Sequence, residues 1–250
     1  MNVYWLEQTE ADVPAENDWL SAMETVCLNS MRFAKRRNDW RLGRWTAKCA
    51  LSLTLNVPAH VQALKKIEIR PAQSGAPEVF FDNQPAVVTI SLSHRSGIAA
   101  CAVAISEVEI GCDLEIVEPR SDAFVADYFT IEEQALVARA SAADRDRILA
   151  LLWSGKESAL KALRAGLRLD TRSVIVIPCA ASFDPDGWNQ LRVRHTGGCC
   201  TEARVFHGLW QRTNNIIRTV VASPPPDPPI PLKIRANYVD SASRFKPVPC

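Results

Sequence analysis

The segment 98–117 constrains the fold most, because it predicts two consecutive strands near the middle of the chain. Residues 98–105 are almost all apolar and have the length of a strand, which is typical of a buried strand. A polar turn follows, and residues 108–117 are predicted to form the next strand. Alternation along this second strand places Asp113 and Glu115 on one face and apolar side chains on the other.

A second charged block lies on a helix that the apolar spacing predicts over residues 144–165. Glu157 and Lys161 are at positions i and i+4, so they share one helix face. If Glu157 converges with the strand carboxylates Asp113 and Glu115, the three form an oxygen-rich site that suits Mg²⁺ and a substrate phosphate. Taken alone, the strand pair favours ordinary surface charge, and Glu157–Lys161 fits a surface ion pair as well as a site.

The rest of the pattern predicts an α+β (mixed α/β) protein with two lobes that divide near residues 105–110. We expect an N-terminal lobe over 1–106, a C-terminal lobe over 107–222 and a poorly ordered Pro-rich tail over 223–250. Helices are predicted in two pieces within 15–55 and at 131–140, and strands at 3–6, 67–70, 87–94, 173–177, 191–194, 203–210 and 216–221.

Composition excludes several classes of function. The net charge of +1 gives no overall field for nucleic acid, and no apolar run reaches the length of a membrane span. The N-terminal residues lack the pattern of a signal peptide, so we expect a cytoplasmic protein. The cysteines form no C-x-x-C pair, which favours buried thiols in a reducing compartment over zinc or disulfides. The eight cysteines are Cys27, Cys49, Cys101, Cys112, Cys179, Cys199, Cys200 and Cys250.

A dense basic cluster precedes these elements, and its guanidinium groups suit phosphate oxygens. A solvated helix face is the ordinary alternative for such a run. The cluster consists of Lys35, Arg36, Arg37, Arg41, Arg44 and Lys48. Ser93-His94 ends a strand at a turn, where a hydroxyl and an imidazole can also reach a phosphate. Adjacent strand residues point to opposite faces, so this pair does not fit a Ser/His catalytic triad.

Taken in order, these blocks resemble the long, Sfp-type class of 4′-phosphopantetheinyl transferases. The basic helix R-x-x-[FW]-x-x-G-R is matched by Arg37–Arg44, and [IV]-S-x-S-H by Ile90–His94. The element [IV]-G-x-D-[ILV]-E is matched by Ile110–Glu115, and W-[ST]-x-K-E-[AS]-x-x-K by Trp153–Lys161. Phe129–Glu133 matches the short F-[ST]-x-x-E element between them.

The resemblance implies two similar lobes related by pseudo-twofold symmetry, each with a small sheet and a packed long helix, with coenzyme A bound between them. It implies a monomeric enzyme that moves the phosphopantetheine arm of coenzyme A onto a serine of an acyl, peptidyl or aryl carrier protein. Asp113, Glu115 and Glu157 would hold Mg²⁺, and Lys161 would stabilise or protonate the leaving phosphate. The base for the serine would be Glu157, or otherwise Glu133.

The resemblance also implies coenzyme A contacts for Arg37, Arg44, Ser93 and His94, with Arg36 and Lys156 as further candidates. The chain departs from the family at Ala76, where several relatives have a basic residue in a G-[KR]-P element. This departure keeps open a catalytically inactive relative that binds carrier proteins. A different Mg²⁺-dependent phosphotransferase is the third hypothesis, and the carrier proteins and pathway stay open.

Overall fold

The structure is a computed structural model that describes residues 1–179, 183–196 and 204–234. These residues form a mixed α+β fold, as the sequence predicts, and they contain six α-helices and three β-sheets. None of the helices within the described ranges combines the length and the apolar character that crossing a membrane requires.

The helices are α1 (Ala22–Ser30), α2 (Ala34–Thr54), α3 (Val61–Lys66), α4 (Asp122–Tyr128), α5 (Ile131–Ala138) and α6 (Ala142–Ala162). The first six strands are β1 (Tyr4–Thr9), β2 (Ile67–Pro71), β3 (Pro77–Phe81), β4 (Gln84–Pro85), β5 (Thr89–Arg95) and β6 (Ile98–Ala104). The other strands are β7 (Glu109–Ile116), β8 (Val174–Pro178), β9 (Asn189–His195), β10 (Arg204–Thr213), β11 (Ile216–Ser223) and β12 (Ile230–Pro231).

Each half of the chain packs one 21-residue helix on one sheet. In the N-terminal half, α2 lies on the sheet β12-β1-β6-β5, with the small sheet β2-β3-β4 beside it. In the C-terminal half, α6 lies on the sheet β7-β11-β10-β9-β8. The long helix of each half therefore covers the apolar face of its own sheet, and each pairing has its own core cluster.

The two halves meet where the edge strand β5 lies beside the edge strand β7. Two serines of β5 satisfy backbone groups of β7: Ser91 Oγ accepts from the Cys112 amide at 2.9 Å, and Ser93 Oγ accepts from the Leu114 amide at 3.2 Å. A third apolar cluster, which includes small side chains of β6, joins the sheets behind this contact. The spacing of the two serines at i and i+2 therefore has a structural reason, since both must face β7.

Gly111 allows α6 to lie directly against β7. A Cβ atom at this position would lie 1.8 Å from the carbonyl oxygen of Ser158 and 2.7 Å from the amide nitrogen of Ala162. These are backbone atoms of the helix, so they cannot rotate away as a side chain can. The glycine of the I-G-x-D element thus sets the distance between the strand that carries Asp113 and the helix that carries Lys161.

A buried ion pair of the same construction anchors the long helix in each half. Lys48 of α2 lies 2.6 Å from Glu24, and Lys156 of α6 lies 2.7 Å from Glu133; all four side chains are almost fully buried. Each lysine is residue fifteen of its helix, and each glutamate completes a capping box at the start of a shorter helix. These matched pairs support the expected pseudo-twofold relation between the lobes, which stays a prediction.

Lys156→Met is expected to lower the free energy of unfolding by about 3–5 kcal/mol, because it leaves the buried Glu133 carboxylate without its counter-ion. Chemical denaturation measures this loss. The double variant with Glu133→Gln should lose less than the sum of the two single variants, since the first change already breaks the pair. A loss in the double variant equal to the sum of the two single losses would contradict a coupled pair. Lys48→Met is the matched variant in the other lobe.

The structure departs from the sequence-based predictions in its short elements and in one cysteine. Helices α3 and α4 and strands β3, β4 and β12 were not predicted, because each is too short to show a clear period. Cys27 is exposed, which corrects its assignment as a buried thiol, whereas Cys49, Cys101 and Cys112 are buried as predicted. Cys199, Cys200 and Cys250 lie outside the described residues.

The first part of the Pro-rich tail packs on the N-terminal sheet rather than lying apart from it. β12 pairs in parallel with β1, and the backbone amide of Leu232 donates to the Trp5 carbonyl at 2.7 Å. Residues 224–231 therefore carry the chain back from the C-terminal sheet to the first strand. Residues 235–250 of the predicted tail lie outside the described ranges.

Candidate functional site

Asp113 and Lys161 form the centre of the candidate site. Lys161 Nζ donates to Asp113 Oδ1 at 2.8 Å and to the Cys112 carbonyl at 3.0 Å, and Ser93 Oγ donates to the same Asp113 oxygen at 2.8 Å. Burial is the largest single influence and lowers the pKa of Lys161, but the charge and hydrogen bond of Asp113, together with Cys112 and Glu157, outweigh burial and raise the pKa. The lysine therefore carries a firm positive charge beside a buried carboxylate.

Glu115 and Glu157 lie near Asp113 and Lys161, and the negative charge of Asp113 acts on the pKa of both glutamates. Burial, followed by repulsion from Asp113, raises the pKa of Glu115 to about 7, against the opposing effect of Arg95 and Arg120. Burial likewise raises the pKa of Glu157; the charge of Lys161 opposes the shift, and Asp113 adds to it. The three candidate carboxylates thus share one electrostatic environment.

The donor set fits a hard divalent cation. Asp113 Oδ2 is a buried carboxylate oxygen without a hydrogen-bond partner in the described structure. Mutual repulsion among the three carboxylates is the situation that a bound cation relieves. Within the described residues, no three His, Cys, Asp or Glu side chains already form a metal-ligand group. Glu115 instead accepts from Arg120 Nη2 at 3.1 Å, so it would have to turn from that arginine to bind a metal.

The raised pKa of Glu115 predicts a pH dependence of stability. The folded protein binds this proton more tightly than the unfolded chain, so the contribution is fully present below about pH 4.5 and is lost as the pH rises through about 7. We expect the free energy of unfolding of wild type, relative to Glu115→Gln, to fall across this window in metal-free buffer. A difference between the two proteins that stays constant with pH would contradict the shift.

A cavity of about 380 Å³ opens beside Lys161 and is shared by both halves of the chain. The N-terminal half contributes Ser91 and the segment 74–77, and the C-terminal half contributes the end of α6. Four cationic side chains are among its lining residues: Arg44, Arg70, Lys161 and Arg164. Its lining in the described structure includes no acidic residue, so the cavity suits an anionic ligand.

The structure separates the predicted basic cluster into residues with different surroundings. Arg44 lines the cavity and lies 5.0 Å from the ring centre of Trp40, whereas Arg36 and Arg37 are exposed at the start of α2 and are not among the lining residues. Arg41 donates to backbone carbonyls, and Lys48 is buried in its ion pair. The cluster is therefore not one continuous phosphate clamp.

Ser93 and His94 point to opposite faces of β5, as predicted. Ser93 is buried against Asp113, while the His94 side chain is 54% exposed with Nε2 3.9 Å from Asp39 Oδ2. The serine thus belongs to the carboxylate cluster, and the imidazole faces solvent on the other side of the strand.

Glu133 and Lys156 lie outside the cluster. The Glu133 carboxylate accepts from the backbone amides of Thr130 and Val176, both at 2.9 Å, and pairs with Lys156. Lys156 also donates to the Thr171 carbonyl at 2.9 Å. Both side chains are engaged in structural contacts inside the fold, and a role of Glu133 as base or of Lys156 in binding coenzyme A stays a prediction.

Sequence reasoning missed the arginines that hold Glu115. Arg95 at the end of β5 lies 3.7 Å from Glu115, and Arg120 bridges Glu115 and Glu118 at 3.1 and 3.2 Å. Arg120 lies in a loop without periodicity, so its partner depends on the tertiary fold. The capping-box spacing of Thr130 and Glu133 is the one sequence signal that points to a structural role for Glu133.

The fold and the cluster together define a mixed α+β protein with a carboxylate–lysine site beside a cationic cavity between two lobes. Residues 109–217 match the family model described as ACPS, the 4′-phosphopantetheinyl transferase superfamily. The matched region contains Asp113, Glu115, Glu157 and Lys161. A search of curated proteins finds no match. The family match supports phosphopantetheine transfer as the general activity of this region.

Proposed function

We propose that this chain is a phosphopantetheinyl transferase of the Sfp type. It transfers the 4′-phosphopantetheine group of coenzyme A to a serine hydroxyl of an acyl, peptidyl or aryl carrier protein and releases 3′,5′-ADP. The observation that carries the proposal is the cluster of Asp113, Lys161, Glu115 and Glu157, which lies within the family match and beside the cationic cavity.

The step forms a bond from the serine oxygen to the phosphorus next to pantetheine and breaks the bridging P–O bond of the diphosphate. Glu157 accepts the serine proton, directly or through water, and in the metal-free protein burial raises its pKa. Lys161 neutralises the charge that develops on the departing 3′,5′-ADP. Asp113 positions the lysine by accepting its hydrogen bond, and Ser93 donates a hydrogen bond to the same Asp113 oxygen.

Asp113, Glu115 and Glu157 are the residues that would hold Mg²⁺. When bound, the ion would supply charge neutralisation at the diphosphate. Arg44 would contact a phosphate from the cavity wall, and Arg36, Arg37 and His94 would reach the ligand only from the exposed face. The protein would act as a cytoplasmic monomer on carriers of fatty acid, polyketide or nonribosomal peptide (including siderophore) synthesis.

A catalytically inactive relative that binds carrier proteins is the second candidate. One observation favours it: Glu115 pairs with Arg95 and Arg120, and the described residues contain no ready-made group of three metal ligands. Such a protein would bind apo carriers and coenzyme A without turnover.

Release of 3′,5′-ADP tests the proposal. The protein is incubated with coenzyme A, Mg²⁺ and a panel of apo carrier domains, and the nucleotide is quantified by chromatography. We expect release with at least one carrier and none when the target serine of that carrier is changed to alanine. Carrier binding without release would support the inactive relative, and nucleotide turnover without any carrier would indicate a different phosphotransferase.

A further inference from the structure

Arg164 occupies a backbone position where glycine is the usual residue. It follows the last turn of α6 with φ of 54°, in the left-handed region. The Arg164 amide donates to the Lys161 carbonyl at 2.9 Å, and the Ala165 amide donates to the Leu160 carbonyl at 3.1 Å. This is the hydrogen-bond pattern of a Schellman helix end, in which an arginine costs stability that a glycine would not.

The side chain of Arg164 is the least engaged cation of the cavity. Among the described residues, its one partner of opposite charge is Glu78, at 3.5 Å, and both side chains are about half exposed. Exposed pairs of this kind contribute little to stability. By contrast, Arg70 bonds Glu68 and Asn83, and Lys161 bonds Asp113. The fold therefore gains little from Arg164, although it keeps a strained arginine there.

The position of Arg164 places it across the cavity from the N-terminal half. Arg168, in the same segment after α6, donates to the Ser74 carbonyl at 2.6 Å, so this segment lies against the turn between β2 and β3. Arg70 approaches the same cavity from that half. An anion between Arg70 and Arg164 would thus contact both lobes. It would lie in the same cavity as Lys161.

We infer that Arg164, with Arg70, forms a phosphate-binding subsite at this side of the cavity, which takes a phosphate of the nucleotide part of coenzyme A. The inference rests on the proposed function for the identity of the ligand. Arg70 and Arg164 line the same cavity as Ala76, so they can make the phosphate contact without a basic residue at position 76. A guanidinium suits this role, because its paired N–H groups match phosphate oxygens.

The test is Arg164→Gly, with coenzyme A affinity and thermal unfolding measured on the same preparations. We expect affinity to fall about 10- to 100-fold, the effect of losing one charged hydrogen bond. The unfolding temperature should stay equal or rise, because glycine relieves the left-handed backbone. A structural role alone would not move the two readouts in opposite directions. Arg164→Asn, which also tolerates this conformation, should reproduce the loss, and Arg164→Lys should retain part of the affinity.

Arg172→Ala is the matched control, since Arg172 is an exposed arginine of the same half that pairs with Asp170 and is not among the cavity-lining residues. It should leave affinity unchanged. Repeating the titration with 3′-dephospho-coenzyme A identifies the phosphate: a loss confined to coenzyme A indicates the 3′-phosphate, and an equal loss indicates the diphosphate. Unchanged affinity in Arg164→Gly would overturn the subsite alone. Failure of wild type to bind coenzyme A would instead count against the proposed function.

Discussion

Glu157→Gln is expected to reduce phosphopantetheine transfer by about 10²–10⁴-fold, the range that removal of a general base produces. The amide keeps the shape of the side chain but cannot accept the serine proton, and it is a poorer ligand for a hard cation. Glu157 lies on α6 next to Lys161 and Asp113, whose charges act on its pKa. Steady-state rates with one carrier protein measure the loss.

Two controls separate this effect from misfolding. Within the part of the chain that the structure describes, the Glu157 side chain makes no hydrogen bond to another side chain, so the circular dichroism spectrum and unfolding temperature of Glu157→Gln should match those of wild type. Glu132→Gln is the matched variant, because Glu132 is an exposed glutamate on α5. Full activity in Glu157→Gln would show that the pair with Lys161 is only surface charge.

Gly111→Ala is expected to destabilise the protein by more than any surface substitution, at least about 2–4 kcal/mol by analogy with overpacked cores and buried steric conflicts. Its Cβ would lie 1.8 Å from the Ser158 carbonyl oxygen, a distance that only a shift of α6 away from β7 can relieve. That shift would also separate Lys161 from Asp113, which are 2.8 Å apart.

Stability and activity should therefore fall together in Gly111→Ala. Thermal unfolding measures the first and carrier modification the second, both at a temperature where the variant is still folded. Gly75→Ala is the comparison variant, because it adds the same methyl group where a Cβ meets nothing within 4 Å. Its φ of 84° adds a backbone cost but no steric clash. Wild-type stability in Gly111→Ala would contradict the close approach of the helix to the strand.

Local periodicity explains how much of the site could be predicted from the sequence. The alternation in β7 places Asp113 and Glu115 on one face, and the i, i+4 spacing in α6 pairs Glu157 with Lys161, so both halves of the cluster follow from short-range pattern. Their convergence depends on Gly111, which the motif contains but whose contact with α6 is visible only in the fold.

The contacts that the sequence did not predict depend on long-range partners. Glu133 and Lys156 have the residue types and spacing of catalytic groups, yet their partner atoms lie on elements such as β8, which no local pattern identifies. Likewise, the apolar residue Ile230 in the Pro-rich segment pairs with β1 from the other end of the chain. Arg120 lies in a loop and Arg164 follows the end of α6, so no periodic pattern predicts the direction of either side chain.

The most direct test of the central claim is the intact mass of an apo carrier protein after incubation with this protein, coenzyme A and Mg²⁺. The account predicts a gain equal to one phosphopantetheine group, located on a single serine, that depends on Glu157 and disappears when a chelator removes the metal. Carrier proteins that keep their apo mass across a broad panel, while wild type is folded and binds coenzyme A, would contradict it.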